Sequence, residues 1–154
     1  MRRLFLLPEK IKLTSEELGL MSMFQNLSGA SVRDCVIDPK MERVIFIVGR
    51  GEMGLAIGKG GATIKNIQGA IGKQVELVEW SDDAKQFIMN SLNPQYISEI
   101  RISEKSDGTK SATVVVDQRR KGALLGKEGR NAEKARLLAR RHFSIETIHI
   151  VSPQ

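Results

Sequence analysis

Two pentapeptides, Ile57-Gly58-Lys59-Gly60-Gly61 and Leu125-Gly126-Lys127-Glu128-Gly129, stand 68 residues apart and share a Gly-x-x-Gly core with the same lysine. Glycine reaches positive φ cheaply and, lacking a Cβ, lets another backbone come close. A helix starting directly after such a loop points unbonded N–H groups and the positive end of its dipole outward. Phosphate is the natural occupant. Lys59 and Lys127 add a flexible point charge at the same place, which strengthens the grip without distinguishing bases. The plainer alternative is a pair of tight helix-to-helix turns that use glycine for geometry alone. Recurrence of the lysine in similar surroundings favours phosphate.

Two lookalikes fail on their own requirements. Gly49-Arg50-Gly51-Glu52-Met53-Gly54 matches the dinucleotide-binding fingerprint, with Glu76 and Glu79 near the distance of a ribose-binding carboxylate. That site needs a full helix after the third glycine, and Gly58, Gly60 and Gly61 interrupt it; the second half of the chain has no counterpart. Gly54 to Lys59 and Gly122 to Lys127 are each one residue short of an ATPase phosphate loop, and Gly60 or Glu128 replaces the hydroxyl that would hold magnesium. His142, His149 and Cys35 read as packing or surface residues, with no nucleophile beside a base. A single cysteine excludes an internal disulfide and a four-cysteine zinc site. The expectation is a binding protein, not an enzyme, with no cofactor and no metal.

The elements around the loops repeat as well. Thr14 and Glu17 have capping-box spacing, and Leu20, Met23, Phe24 and Leu27 fall on one helical face, predicting a helix over 15–28 that ends at Gly29. The β-branched runs 32–37 and 43–48 flank Asp38-Pro39-Lys40 and predict an antiparallel hairpin. A short helical turn over 52–57 leads into the first loop, a helix over 62–71 follows it, and a strand over 75–78 closes the unit. The second unit has the same order. Ser81 is expected to cap a helix carrying Ala84, Phe87, Ile88, Ser91 and Leu92, and Asn93-Pro94 stops it. Strands over 97–103 and 111–116 join through Asp107-Gly108, and 122–125, the loop, a helix over 131–142 and a strand over 145–151 complete it. Domains of 1–80, including an N-terminal strand or arm at Arg2 to Pro8, and 81–154 are therefore expected.

Charge points to the class of partner. The 154 residues carry a net charge of +6, with a pI near 9.7. Nine Lys or Arg but only Glu128 and Glu133 lie between Arg119 and Arg141. A polyanion fits that excess. Apolar runs such as Val44 to Val48 are far too short to span a bilayer, and Pro8, Glu9 and Lys10 cut short the only stretch resembling a signal peptide. No membrane partner and a reducing, cytoplasmic setting are expected.

An isoleucine or leucine followed by Gly-x-x-Gly, between two helices and preceded by a helix and two strands, resembles the KH family of RNA-binding domains in its type II form. Two such units in tandem, with Asp34-Cys35-Val36-Ile37-Asp38, Met53-Gly54-Leu55-Ala56 and Arg140-Arg141-His142-Phe143 as supporting stretches, are similar to the paired KH domains of the NusA family. The short archaeal form is the nearer likeness, since the polymerase-binding region and OB-type barrel of the bacterial form would not fit in 154 residues. The resemblance implies an α+β fold of two type II KH-like domains, each a three-stranded mixed sheet packed against helices. It implies a monomer that binds single-stranded RNA in transcription termination or antitermination, with the transcription machinery as a further partner. A KH-type factor for ribosomal RNA assembly is the alternative, and a protein-interaction module or a DNA binder also stays open. The clamps would be Ile57, Gly58, Lys59, Gly60 and Gly61 with Lys65, and Leu125, Gly126, Lys127, Glu128 and Gly129 with Arg130 and Lys134. Each would hold the backbone of about four nucleotides over an apolar floor. Ile57, Ile64 and Val75 are expected in the first floor, and Leu125, Ala132 and Ile145 in the second. Phe, Trp and Tyr make up only 5% of the chain, so aromatic stacking should matter little. Glu128 puts a carboxylate beside the phosphate path, and the second loop is expected to grip more weakly. Arg119-Arg120-Lys121, Arg136, Arg140 and Arg141 would either extend the phosphate track or form a solvated surface.

Overall fold

The computed structural model describes residues 11–153, so the expected N-terminal arm lies outside the described residues. The chain divides into two compact units, Lys12–Ser81 and one running from Asp82 onward. The first contains α1 (Ser15–Ser28), β1 (Val32–Asp38), β2 (Arg43–Val48), α2 (Met53–Ile57), a 3-10 turn (Lys59–Gly61), α3 (Ala62–Ile71) and β3 (Gln74–Glu79). The second contains α4 (Ala84–Ser91), β4 (Ile97–Glu104), β5 (Lys110–Val116), α5 (Lys121–Leu125), a 3-10 turn (Lys127–Gly129), α6 (Arg130–Phe143) and β6 (Ile145–Val151). Additional 3-10 turns at Pro94–Tyr96 and Gln118–Arg120 have no counterpart in the first unit.

Each sheet is mixed, as expected. β2 pairs antiparallel with β1 and parallel with β3; β5 does the same with β4 and β6. A tight turn can join an antiparallel pair, whereas the parallel pair needs a crossover. The two helices and the loop supply that crossover in both units, so the Gly-x-x-Gly segment is held between two helices that the sheet anchors. Even the irregularities recur, with a register shift between Val32 and Asp34 and another between Ile97 and Glu99.

The capping box behaves as its spacing predicts. The Thr14 hydroxyl accepts from the Glu17 N–H at 3.1 Å, and the Glu17 carboxylate accepts from the Thr14 N–H at 2.9 Å. Phe24 is the residue of α1 that is fully buried, its ring 4.4 Å from that of Phe46 on the central strand. Leu27 departs from the expected face and stays 46% exposed, because α1 meets the sheet along the line of Phe24 and Leu27 lies to one side of it. The two cores are built alike: Val44, Phe46 and Val48 under Ile67 in the first unit, Ala112, Val114 and Val116 under Ala135 and Ala139 in the second. At the end of the first sheet remote from the loop, the fully buried Arg43 guanidinium ties the three strands together. Its Nε lies 2.9 Å from Asp38 and its Nη1 3.3 Å from Glu76.

The expected Ser81 cap is not what forms. α4 begins at Ala84 with Asp83 at the N-cap position, and no side chain closes it. Ser81 is buried at 8% exposure. The chain is still held to the first unit at the seam, where the Trp80 N–H donates to the Val48 carbonyl at 2.8 Å and the Arg33 guanidinium lies 4.3 Å from the Trp80 ring centre. The helix starts only after that hold ends.

Candidate nucleic-acid interface

The two loops have nearly the same backbone. Gly58 sits at φ 77, ψ 170, and Gly126 at φ 79, ψ 171. The third loop residue is left-handed in both, Gly60 at φ 63, ψ 18 and Glu128 at φ 57, ψ 26. Internal hydrogen bonds match: Gly58 N–H to the Gly54 carbonyl (2.9 Å) and Gly61 N–H to Gly58 (3.1 Å), against Gly126 to Gly122 (3.1 Å) and Gly129 to Gly126 (3.0 Å). Two sequences that differ at a quarter of the motif thus reach one shape.

Each loop delivers the chain to a helix whose first turn is uncapped. Gly61 and Gly129 occupy the N-cap positions of α3 and α6, and neither has a side chain to accept the leading N–H groups. The first of them, on Ala62 and Arg130, donates back to the Lys59 and Lys127 carbonyls, and the donors after it and the dipole behind them face whatever lies over the loop. Lys59, Lys65 and Lys127 are exposed beside them, while Arg130 and Lys134 are half-buried along the first turns of α6. The candidate clamp residues of each unit are therefore brought together around one helix start.

The expected floors need correction. Ile57 is 39% exposed, but Val75 is 5%, Ala132 1% and Ile145 1% exposed. The last three face the hydrophobic core, because the side of each helix and strand that looks inward is the side carrying its apolar residues. Leu55, which is 53% exposed, Ile57, half-buried Ile64 and half-buried Leu125 offer apolar surface near the loops. Among the basic tract, Arg119 lies 3.3 Å from Asp117, and Arg120 lies over the Tyr96 ring at 5.4 Å. Hydrogen bonds from Arg119 hold the Asp117 carboxyl below its usual range.

The left-handed third position was not visible in the motif. A non-glycine residue there costs about 1–2 kcal/mol, so Glu128 carries strain that Gly60 does not. Glu128→Gly is expected to stabilise the second unit by about 1 kcal/mol and to tighten RNA binding. Glu128→Ala removes the carboxylate but keeps the strain. Calorimetric melts of both variants would check this, and equal stability of the two would sink the strain argument. Thr63 and Asn131 were also missed. Each stands five residues after the first glycine, against that glycine's open side. Alignment of the two repeats, with a small polar residue at the same offset, was the available signal.

Comparisons place these features among known proteins. Residues 21–82 match the KH domain family, and residues 84–152 match the NusA-like second KH domain. The chain is 32% identical over 142 residues to the probable transcription termination protein NusA of Methanocaldococcus jannaschii, covering 92% of this chain and 76% of that one. It is 36% identical over 141 residues to the protein of the same name from Halococcus morrhuae, covering 92% and 99%. The crystal structure of APE1850 is similar with a TM-score of 0.81 at 37% identity, over 90% of this chain and all of that one.

Proposed function

The chain belongs to the NusA family of tandem KH proteins, and we propose from that premise that it is a transcription termination or antitermination factor that works by holding single-stranded RNA. The observation that carries the reading is the repeated loop: two Gly-x-x-Gly segments of one backbone shape, each with a lysine at its second position and an uncapped helix start behind it. The first clamp comprises Ile57, Gly58, Lys59, Gly60, Gly61 and Lys65. The second comprises Leu125, Gly126, Lys127, Glu128, Gly129, Arg130 and Lys134. Backbone N–H groups and lysines grip phosphates, and the apolar surface at Ile57, Ile64 and Leu125 gives the bases a place to lie. Its role is binding, not catalysis, with single-stranded RNA and the transcription machinery as partners. Linking the clamps in one chain raises the effective concentration of the second site once the first is filled, so two weak grips give useful affinity.

This reading fixes a salt dependence. If the clamps neutralise about 4–6 phosphates, log K against log salt falls with a slope of about −3 to −4 for a single strand. A filter-binding titration with single-stranded RNA measures it, and a flat response would contradict phosphate clamping. Competition with DNA of matched sequence tests the choice of sugar, and crosslinking with sequencing of the bound RNA separates nascent transcripts from ribosomal RNA.

A further inference from the structure

We infer that the outward face of α6 is a further RNA contact, an arginine-walled groove that takes the strand onward from the second loop; the inference rests on the RNA reading above. A groove of about 570 Å³ lies on this face, lined by Glu133, Arg136, Leu137, Arg140 and Arg141. Arg130, Lys134, Leu137 and Arg141 follow at intervals of four, three and four residues, which sets them in one row along a helix. The row begins at the residue after the second loop and runs about 16 Å at 1.5 Å per residue. It carries three cations and no carboxylate. The positions 68 residues earlier are Ala62, Asn66, Gly69 and Lys73, so the first unit lacks this row over the length of α3.

Arg136 and Arg140 flank the row and are held in place from beneath. Their Nη2 groups donate to the carbonyls of Ile148 at 3.4 Å and Glu146 at 3.1 Å on β6, the edge strand of its sheet. A guanidinium has five N–H donors in a rigid plane, so one bond to a carbonyl orients it and leaves others to face outward. The carboxylates paired with Arg136 and Arg140 are weak competitors: Glu133 is 3.7 Å from Arg136 and Glu146 4.0 Å from Arg140, in pairs that are roughly half exposed. Oriented guanidinium planes stack on unpaired bases as well as contacting phosphates, and half-buried Leu137 supplies apolar surface among them. The units thus divide the work. The first grips through an unstrained glycine loop, and the second offsets Glu128 with a charged groove along its helix.

The test uses the full chain, fluorescence anisotropy, and single-stranded RNA oligomers of about 4 and about 16 nucleotides, one clamp's length and a longer strand. Arg136→Gln/Arg141→Gln is expected to bind the short oligomer as the wild type does and the long one about 10-fold more weakly. Its salt slope on the long oligomer should fall in magnitude by about 1.4, the contribution of two phosphate contacts. The charge-matched Lys12→Gln/Lys40→Gln should retain the wild-type affinity for both, and thermal melts of the variants check that each is folded. Equal binding of the long oligomer by the wild type and the Arg136/Arg141 variant overturns the inference alone, as does an equal loss in the charge-matched control. A wild-type chain that binds neither oligomer overturns the RNA reading and the inference together.

Discussion

Gly58→Ala is expected to cost the first unit about 3 kcal/mol, beyond the ordinary range of a surface substitution, and to remove most of its RNA affinity. Two separate costs add. At φ 77 and ψ 170 the backbone lies in a region that is essentially restricted to glycine. A Cβ placed there would also stand 2.7 Å from the Thr63 Cβ and 2.8 Å from the Thr63 backbone nitrogen. Rotation of the Thr63 side chain moves its hydroxyl but not its Cβ, and both the Cβ and the nitrogen are fixed to the first turn of α3 and cannot move without dragging the helix start. That helix start is the proposed phosphate site, so the same strain that unfolds the loop misaims its donors. Gly126→Ala should behave similarly but less severely, because the contact with the Asn131 backbone nitrogen is 3.2 Å. Gly60→Ala is the control: it keeps left-handed strain of about 1–2 kcal/mol but meets nothing within 4 Å. Calorimetric unfolding of the three variants gives the order Gly58, then Gly126, then Gly60. A Gly58→Ala protein no less stable than Gly60→Ala would show that the loop relaxes freely, and the account of its rigidity would fail.

The parts of this structure that were legible in the sequence are those set by local chemistry. Thr14, Glu17 and Gly29 bound α1 through hydrogen bonds and a left-handed turn that need no tertiary partner. β-branched runs and Asp107-Gly108 marked the hairpins for the same reason. The illegible parts depend on what lies across the fold. Val75, Ala132 and Ile145 have the apolar side chains a floor needs, yet which side of a strand or helix faces inward is decided by the sheet beneath. Arg43 looked like any charged strand residue until β1 and β3 brought Asp38 and Glu76 to it. Arg136 and Arg140 acquired their orienting role only once β6 was found at a sheet edge with carbonyls pointing their way. The loop itself fell between these cases. Its glycines announced the shape, but the left-handed third position emerged only from comparing Gly60 with Glu128 in one backbone.

That comparison sets up the second large effect. Replacing Lys59 and Gly60 together by Asp should weaken RNA binding on the order of 100-fold, about 2.7 kcal/mol. The same replacement at Lys127 and Glu128 should cost on the order of 10-fold. Charge accounts for the direction in both loops. In the first loop a lysine becomes an acid and a neutral residue becomes another, a change of three units beside the phosphate path. In the second loop the lysine change contributes two units, and Glu128 to Asp contributes none. The baseline is expected to differ too, since a phosphate held at the second loop would meet the Glu128 carboxylate and leave less affinity there to lose. Folding should not confuse the result, because Asp tolerates the left-handed conformation better than most residues. Lys59 and Lys127 are exposed, with no side-chain cap depending on them. Circular dichroism of both variants should match the wild type while anisotropy titrations separate them. If the two losses are equal, Glu128 does not weaken the second clamp. If the second loop proves the more sensitive, the order of the two clamps is reversed, and the charged face of α6 becomes the better place to look for the main grip on RNA.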